Sequence, residues 1–516
     1  MSGFRSMGVL IVLLAMLGLT SRCAPFLDHG GRLLRQFPSE DGYLMLTIAR
    51  NVALGLGMST ASGTIPTNGI QPLATYLWAL CFELAGTERE AGVALVLALQ
   101  VVIACAAAVF LYALGRRVFA RRSEGDAIAA LAALLWFASP LGVVHTMNCL
   151  ESGLYVLAIL GVLLAVLVAP GVPGPREGLI RWAGIGLLLG VSFWARNDAV
   201  LLCGAVGLAH LANALPAWRE TLPRRLAQLS VAAVVTLLVA APWLVANQLR
   251  FGSIVPISGQ AESLHVVLGQ NLARVPAGLF EHLTLVGMIP ASLETQPAVV
   301  LACAIALAAA LAAVGMRVRR WSPEERALLV VGATFALGLA GFYGLFFGAG
   351  HFMSRYLFPT SPFLALLLAG TLHSAWRAPL AHRRPGLRLA GAVGALAVLA
   401  GLHVRIYLRG PDHMHFQVVE WVEEHVAPDV WIAAVQTGTL GFFHDRTINL
   451  DGKVNPEALR ARFEGRIPAY VLEKDVRYLV DWAGIAGWKD LPALAPHFEL
   501  VVDDPVLNLA VLRRIR

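Results

Sequence analysis

Long apolar stretches are the feature of this chain that most limits its fold. An α-helix needs roughly 20 apolar residues to cross the hydrocarbon core of a bilayer. Stretches of about this length lie near residues 7–22, 91–114, 126–143, 150–169, 179–195, 197–214, 226–249, 297–316, 326–347, 356–375 and 387–408. Only 14% of the residues are charged, against about 25% in an average soluble domain. The sequence therefore predicts an α-helical polytopic membrane protein with about eleven spanning helices, and it excludes an ordinary water-soluble globule.

The composition changes near residue 410. Residues 1–409 contain 29 Arg, 17 acidic residues and no Lys, whereas residues 410–516 contain 11 basic and 16 acidic residues. We therefore expect a membrane domain, 1–409, followed by a small soluble α/β domain, 410–516, which we call the tail. Its residue patterns predict helices at 416–425 and from Pro456, and strands at 430–435, 446–450 and 476–480.

The arginines set the expected orientation, because short loops rich in Arg and Lys stay on the cytoplasmic side. The Arg-rich connections alternate correctly, with Arg5 inside, only if the apolar stretch 70–85 does not cross. That stretch opens with the polar sequence Asn68-Gly69-Ile70-Gln71-Pro72, so we expect a helix that lies in the outer interface or dips into it. The prediction is a cytoplasmic N-terminus, an extracytoplasmic tail, and interfacial helices in the first outer loop, residues 23–90.

Several ionisable residues then fall together on the outer side. They lie in the turn 145–151, which contains His145 and Glu151, in the turn 196–198, in the loop 250–296 and in the turn 351–355. Ionisable groups at membrane depth are costly and by default suggest function. We therefore expect a cleft that opens to the outer face.

The segment 37–43, Phe-Pro-Ser-Glu-Asp-Gly-Tyr, is the most informative motif of the first outer loop. A purely structural interpretation is a helix start, in which Ser39 is the N-cap and the two acids favour the positive helix end. That interpretation explains Glu40 and Asp41, but it does not explain the long polar loop around them or the sequence at 67–73. A functional role for the two acids therefore stays open beside the structural one.

In order along the chain, these motifs resemble those of the GT-C glycosyltransferases, and more narrowly the bacterial branch that uses polyprenyl-phosphate-linked sugars. That branch includes protein mannosyltransferase-like and arabinofuranosyltransferase-like proteins. The acidic pair precedes an R-N-x-A-x-G-x-G sequence at 50–57. Later matches are Asn148-Cys149-Leu150-Glu151-Ser152, Trp194-Ala195-Arg196-Asn197-Asp198, Phe251-Gly252-Ser253-Ile254-Val255-Pro256 and Ser354-Arg355-Tyr356-Leu357-Phe358-Pro359. One position departs from the family pattern, since Asn197 replaces the usual Pro.

The resemblance implies a glycosyltransferase of the bacterial plasma (inner) membrane. Its donor would be a polyprenyl-phosphate sugar, and its acceptor an extracytoplasmic glycan, lipid or protein; transfer of a hexose or a pentose is left open. By the resemblance, Asp41 is the catalytic acid, as general base or as orienter of the acceptor hydroxyl, with Glu40 second. The leaving phosphate needs a fixed cation. Arg355 is the first choice because guanidinium binds phosphate bidentately, and Arg250 is the second.

Further substrate contacts are expected from Arg196, Asp198, Glu151 and His351, and from the first outer loop, where the motif residues are Tyr43, Arg50, Asn68 and Gln71. Structural alternatives stay open: an ion pair or cap for the turn residues, and a snorkelling side chain for Arg355. The sequence establishes no cofactor, and a divalent cation, Mg²⁺ or Mn²⁺, shared by Asp41 and Asp198 is left open. Nucleic acid is not an expected partner, because topology explains the cytoplasmic arginines.

The main alternative function is a flippase or transporter for a lipid-linked sugar. Transporters commonly show paired repeats and polar groups near the midplane, whereas this chain shows no visible repeat and its polar groups collect near one face. A third possibility is a non-catalytic assembly protein whose tail binds a partner. In that case the charges of the outer turns would tolerate substitution by Ala.

Overall fold

The computed structural model describes residues 2–27, 31–167, 175–212, 218–264, 266–285, 289–316, 321–349, 353–376, 385–409 and 415–515. The described residues of the membrane part are mainly helical. Their α-helices are Ser2–Cys23, Arg32–Arg35, Glu40–Ala53, Pro72–Leu84, Arg89–Val118, Gly125–Phe137, Pro140–Met147, Ser152–Leu167, Pro175–Ala195, Ala199–Ala212, Trp218–Phe251, Ile257–Glu262, Val275–Thr284, Pro297–Gly315, Pro323–Phe346, Met353–Leu357, Ser361–Trp376 and Pro385–Arg409. The predicted boundary near residue 410 falls at 410–414, outside the described residues.

Within the described ranges, eight helical segments are long and apolar enough to cross a membrane. They are Gly8–Leu27, Arg89–Val118, Arg176–Ala195, Arg219–Phe251, Pro297–Gly315, Pro323–Phe346, Met353–Trp376 and Ala390–Leu408. The predicted class of polytopic helical membrane protein is confirmed. The predicted count of eleven spans is not confirmed, because three of the predicted stretches form shorter or broken helices.

The broken stretch is 126–143, where helices Gly125–Phe137 and Pro140–Met147 meet at 59°. Pro140 lacks the backbone N–H that would continue the first helix, and the Ser139 side chain caps the second one. The other two stretches form helices of 16 and 14 residues, Ser152–Leu167 and Ala199–Ala212. At about 1.5 Å per residue these measure roughly 24 and 21 Å, less than the roughly 30 Å of a hydrocarbon core.

The loop after the first helix folds around helix Glu40–Ala53. The predicted cap is confirmed, since the Ser39 side chain accepts a hydrogen bond from the Gly42 amide at 3.1 Å. A two-stranded antiparallel ribbon, β1 (Ser59–Thr60) and β2 (Ile65–Pro66), follows. The stretch 70–85 then forms helix Pro72–Leu84, whose 13 residues begin with Pro at the first turn. This helix is too short to cross a bilayer by itself.

The tail is an α/β domain with a five-stranded sheet in the order β4-β3-β5-β7-β6. Its strands are β3 (Ile432–Ala434), β4 (Thr447–Asn449), β5 (Tyr478–Asp481), β6 (Phe498–Asp504) and β7 (Leu509–Arg514). Strand β3 pairs in parallel with β4 and β5, and β7 pairs antiparallel with β5 and β6. Its α-helices are Phe416–His425, Gly438–Phe443, Pro456–Phe463 and Ile467–Glu473. The three predicted strands and both predicted helices are present, whereas the β6–β7 hairpin was not predicted.

The tail packs directly on the loop that carries Glu40 and Asp41. Phe416 and Phe442 of the tail share one buried cluster with Tyr43, Trp78 and Phe82 of the membrane part. The rings of Tyr43 and Phe442 lie 5.1 Å apart, in a tilted arrangement. Buried aromatic area of this kind dominates interface energetics, so the tail and helix Glu40–Ala53 form one packed unit.

Candidate active site

A cavity of about 360 Å³ lies where helix Glu40–Ala53, the turns between membrane helices and the tail meet. Its apolar lining includes Phe342 and Phe346, whose side chains are about half exposed. The ionisable and hydroxyl side chains that line the cavity are Asp41, Glu151, Arg196, Asp198, Ser258, Glu262, Ser263, Tyr343, Arg355, Tyr356 and Lys453. A mostly apolar cleft with a few converging polar groups is the usual form of a ligand site.

Asp41 and Arg355 contact each other on the wall of this cavity. Arg355 Nη1 donates a hydrogen bond to Asp41 Oδ2 at 2.7 Å, and its Nη2 donates to the Tyr356 hydroxyl at 3.0 Å. Asp41 can come this close because Gly42 lets its helix pack tightly on the turn 148–151. A Cβ atom on Gly42 would lie 2.1 Å from the Asn148 carbonyl oxygen. The structure thus joins the two residues that ranked first, from the sequence, as base and phosphate ligand.

Arg196 is the centre of a second, denser network. Its Nη1 donates to Glu151 Oε1 at 3.0 Å, and its Nη2 donates to Asp198 Oδ2 at 2.7 Å and to the Tyr343 hydroxyl at 2.9 Å. The Tyr343 hydroxyl in turn donates to Asp198 Oδ2 at 2.7 Å. Arg196 is only 4% exposed, and its charge is balanced by two buried carboxylates. The predicted group of Arg196, Asp198 and Glu151 is brought together on the cavity wall.

Two stacked tyrosines connect these networks. The rings of Tyr343 and Tyr356 lie 4.3 Å apart at an interplanar angle of 16°, and the guanidinium of Arg355 lies over the Tyr356 ring at 5.0 Å. Tyr343 belongs to the Arg196 network and Tyr356 contacts Arg355. The stack therefore fixes the distance between a rigid, charge-balanced wall and the Asp41–Arg355 pair.

Lys453 brings a third cation to the cavity, from the tail. Its Nζ lies 2.8 Å from Glu262 Oε1, at the end of helix Ile257–Glu262. Burial by itself would lower the pKa of Lys453, but the negative charges of Asp41, Asp451 and Glu262 outweigh burial and raise it. The ammonium therefore stays charged at neutral pH.

Glu40 faces away from the cavity and toward the tail. Its carboxylate accepts hydrogen bonds from the Gly438 amide, from the Thr439 amide at 2.9 Å and from the Thr439 hydroxyl at 2.6 Å. His415 Nδ1 lies 3.8 Å from Glu40 Oε2. Glu40, the second predicted acid, thus binds the tail. It is not among the described residues that line the cavity.

Of the other predicted substrate contacts that fall within the described residues, only Gln71 lines the cavity. The Tyr43 hydroxyl donates to the Leu34 carbonyl, and Arg50 binds the Thr87 carbonyl and Asp445. Asn68 bonds with Asn247 and with the Ile257 amide. Arg250 is exposed at the end of helix Trp218–Phe251. His351 lies outside the described residues.

The residues of the cavity do not fit a divalent cation well. Among the described residues, no group of three or more His, Cys, Asp or Glu side chains is placed as metal ligands. Asp41 and Asp198, the two carboxylates that the sequence suggested for a shared cation, are each bonded to an arginine. The local charge that a metal would supply is already provided by guanidinium groups.

Sequence reasoning missed Lys453, Glu262 and Tyr343. Glu262 and Tyr343 stand in no recognisable motif, and they reach the cavity through tertiary packing alone. Lys453 had a signal, since it is one of only three lysines in the chain.

Two family models match parts of the chain. Residues 67–245 match the family model described as dolichyl-phosphate-mannose-protein mannosyltransferase. Residues 404–507 match a domain of unknown function, DUF8728. No curated protein matches the chain.

Solved structures match over nearly the whole chain. ArnT from Cupriavidus metallidurans, bound to undecaprenyl phosphate, is 14% identical with a TM-score of 0.63, and 97% of each chain is covered. The archaeal oligosaccharyltransferase AglB from Archaeoglobus fulgidus, in complex with an inhibitory peptide and a dolichol-phosphate, is 13% identical with a TM-score of 0.56. That match covers 99% of this chain and 74% of AglB. The resemblance read from the motifs is thereby confirmed: this is a multi-pass membrane protein with the GT-C glycosyltransferase fold.

Proposed function

We propose that this protein transfers a sugar from a polyprenyl-phosphate donor to an acceptor hydroxyl, with Asp41 and Arg355 as the reacting pair. The observation that carries the proposal is the 2.7 Å contact between these residues on the wall of a mostly apolar cavity. The fold and the family model support the class of reaction. The sugar, the acceptor and the bacterial inner-membrane location belong to the proposal.

The proposed step forms one bond and breaks one. The acceptor oxygen bonds to the anomeric carbon of the sugar, while the bond from that carbon to the phosphate oxygen breaks. The leaving polyprenyl phosphate keeps the electron pair, and Asp41 takes the proton of the acceptor hydroxyl. The phosphodiester with one negative charge becomes a phosphate monoester with two, so the transition state needs a preorganised cation.

The Asp41–Arg355 pair couples these two events. When Asp41 takes the proton it loses the negative charge that holds Arg355. In the same step the phosphate gains a negative charge, and guanidinium binds phosphate with two parallel hydrogen bonds. The guanidinium of Arg355 thus stabilises the base before the reaction and the leaving phosphate after it. Tyr356 keeps the guanidinium in place during this exchange, because it bonds to Nη2 while Asp41 accepts from Nη1.

The cavity wall suits a lipid-linked donor. Its exposed aromatic side, which includes Phe342 and Phe346, can receive the first isoprenoid units without desolvating polar groups. The same lining carries Glu151 and Asp198, whose carboxylates accept hydrogen bonds from sugar hydroxyls. Their orientation is fixed in advance by Arg196, which limits the entropy lost when the sugar binds.

The test is a transfer assay with the full-length protein purified in detergent. We expect time-dependent release of polyprenyl phosphate from a labelled polyprenyl-phosphate sugar, without an ion gradient or nucleotide, when acceptor is added. A flippase would instead move the same donor between leaflets of proteoliposomes and leave its sugar–phosphate bond intact. An intact bond together with rapid translocation would overturn the proposal.

A further inference from the structure

The tail contributes a charged side chain to the cavity floor. Among the described cavity-lining residues, Lys453 and Val454 come from the tail, and Lys453 is the charged one. Val454 is buried with Leu44, Ile48 and Ile70 of the membrane part. The segment that carries Lys453 is therefore packed into the site and is more than a surface loop resting near it.

The backbone at Lys453 is fixed by two features. The Lys453 amide donates to Asp451 Oδ1 at 2.8 Å, within a turn where Gly452 has a φ of +80°. The Lys453 carbonyl then presses on Gly69, where a Cβ atom would lie only 1.9 Å from the oxygen. A side chain at position 69 would push this segment out of the cavity. The turn at Gly452 and the close contact at Gly69 thus fix the position of the Lys453 backbone.

The tip of the lysine is held by a partner that it can exchange. Nζ lies 2.8 Å from Glu262 Oε1, and the two side chains are 23% and 15% exposed. An ammonium is a compact point charge on a flexible stem and can move between neighbouring anions. The backbone is therefore fixed while the charge keeps a short reach within the cavity.

The residue type is unusual for this chain. Of its 40 basic residues only three are lysines, at positions 453, 474 and 489. Lys474 lies on the tail, where it pairs with Glu457, and Lys489 lies in the last turn of a 3₁₀-helix. Lys453 is thus the one of the three lysines that lines the cavity. The 37 basic residues of the chain other than these three lysines are arginines.

The charges of the cavity leave a need that Lys453 meets. Among the described residues, the cations that line the cavity are Arg196, Arg355 and Lys453. Arg196 is committed to two carboxylates, whereas Arg355 pairs with Asp41 and Lys453 pairs with Glu262. In the proposed transfer the phosphate goes from one negative charge to two, and Arg355 by itself can balance one of them.

We infer that Lys453 is a second phosphate-binding residue, whose ammonium moves from Glu262 to the phosphate of the polyprenyl donor when the donor enters beside Arg355. This inference rests on the proposed function and extends it, since it makes the soluble tail a part of the donor site. Glu262 then serves as the resting partner that keeps the ammonium in the cavity before binding.

The experiment measures binding of undecaprenyl phosphate and of undecaprenol, which lacks the phosphate, to the purified full-length protein. The variants are Lys453→Met, Lys453→Arg, Glu262→Gln and the Lys453→Met/Glu262→Gln pair. We expect Lys453→Met to weaken phosphate binding about tenfold or more, the usual range for one lost hydrogen bond to a charged group, and to leave undecaprenol binding unchanged. Lys453→Arg should recover most of the loss. Glu262→Gln should bind the phosphate as well as the wild type or better.

The double variant separates binding from structure. If Lys453 contacts phosphate, its loss weakens phosphate binding in both the wild-type and the Glu262→Gln backgrounds, by amounts that differ because the two side chains are in contact. If Lys453 only supports Glu262, both single variants and the pair lose the same amount, and undecaprenol binding falls with them; that result overturns the inference. Failure of the wild type to prefer the phosphate over the alcohol would instead contradict the proposed function itself. Size-exclusion profiles and melting temperatures identify any variant that does not fold.

Discussion

Glu40 and Asp41 are adjacent carboxylates on one helix turn, yet they belong to two different regions of the molecule. Successive side chains on an α-helix point about 100° apart, so Glu40 faces the tail while Asp41 faces the cavity. Glu40 accepts hydrogen bonds from two backbone amides and a hydroxyl of the tail. Asp41 accepts from the guanidinium at the end of the Arg355 side chain. The same charge at the same helix end thus serves docking on one side and chemistry on the other.

The difference lies in the donors. Backbone amides at a helix start cannot move away from Glu40 without unfolding part of the tail, so the Glu40 carboxylate stays in one position. Arg355 can redirect its Nη1 hydrogen bond from Asp41 to an incoming phosphate while Tyr356 holds Nη2, and Asp41 can then gain a proton. A carboxylate that reacts needs a partner that can be exchanged, whereas a carboxylate that fastens two domains needs partners that cannot.

The sharpest test compares Asp41→Asn with Glu40→Gln in the sugar-transfer assay. Both changes remove one charge with little change of shape. We expect Asp41→Asn to lower kcat about a thousandfold, within the range for loss of a general base, while donor binding persists. Glu40→Gln should lower kcat by less than about tenfold, since it only loosens the helix that carries Asp41.

Initial rates with labelled donor give the comparison, and binding of undecaprenyl phosphate serves as the control for an intact site. Equal losses in the two variants would contradict the division of roles between the two carboxylates. In that case Asp41 would be no more than a structural partner of Arg355.

The membrane architecture and most of the tail could be predicted from sequence, because they depend on local patterns. Apolar length predicted where helices occur, and Asn455-Pro456 predicted the start of helix Pro456–Phe463. The β6–β7 hairpin was missed although Asp504-Pro505 is a turn signal, because β6 is acidic at its end and only partly buried. The span count of eleven is not confirmed, since apolar composition does not reveal where a helix breaks. The helix in the stretch 126–143, for example, breaks before Pro140.

The candidate site was predictable only in part, for a related reason. Short motifs placed Asp41, Arg196, Asp198, Glu151 and Arg355 on one side of the protein, and the structure brings these five to one cavity. The sequence could not separate Glu40 from Asp41, because the direction of each carboxylate depends on how the tail docks. Lys453 reaches the cavity from a segment more than 400 residues away from Asp41 in the chain, and no local pattern reports such a contact.

The docking role of Glu40 predicts a loss of stability that is confined to the tail side. We expect Glu40→Ala to destabilise the docked tail by about 2–3 kcal/mol, the range for hydrogen bonds to a charged group. Hydrogen exchange of the full-length protein in detergent measures this, as faster exchange of the amides at 436–443. Glu420→Ala is the matched control at the same boundary, because it removes an exposed ion pair with Arg35 that contributes about 1 kcal/mol or less. Faster exchange in the control than in Glu40→Ala would contradict this assignment.

The smallest expected effect is a pH dependence at the same contact. His415 is buried beside Glu40 and against the Trp482 ring, and burial lowers its pKa to about 4 although the charge of Asp41 acts in the opposite direction. The unfolded tail, with a histidine pKa of about 6.5, binds this proton more readily than the folded one. The stabilisation is therefore complete above about pH 6.5 and is lost as the pH falls toward 4.

Linkage puts the loss from this one group at about 2 kcal/mol at pH 5 relative to pH 7.5. Unfolding of the tail in wild type and His415→Gln at both pH values measures it, since other titrating groups cancel in the difference. The variant should lose about 2 kcal/mol less than the wild type on acidification. An unchanged pH dependence would mean that the pKa of His415 is the same in the folded and the unfolded tail, and at pH 5 Glu40 would then have a charged partner at its tail face in addition to the amides. That outcome would strengthen the fastening role of Glu40 and leave the contrast with Asp41 intact, but it would show that the tail contact is not maintained by neutral donors alone.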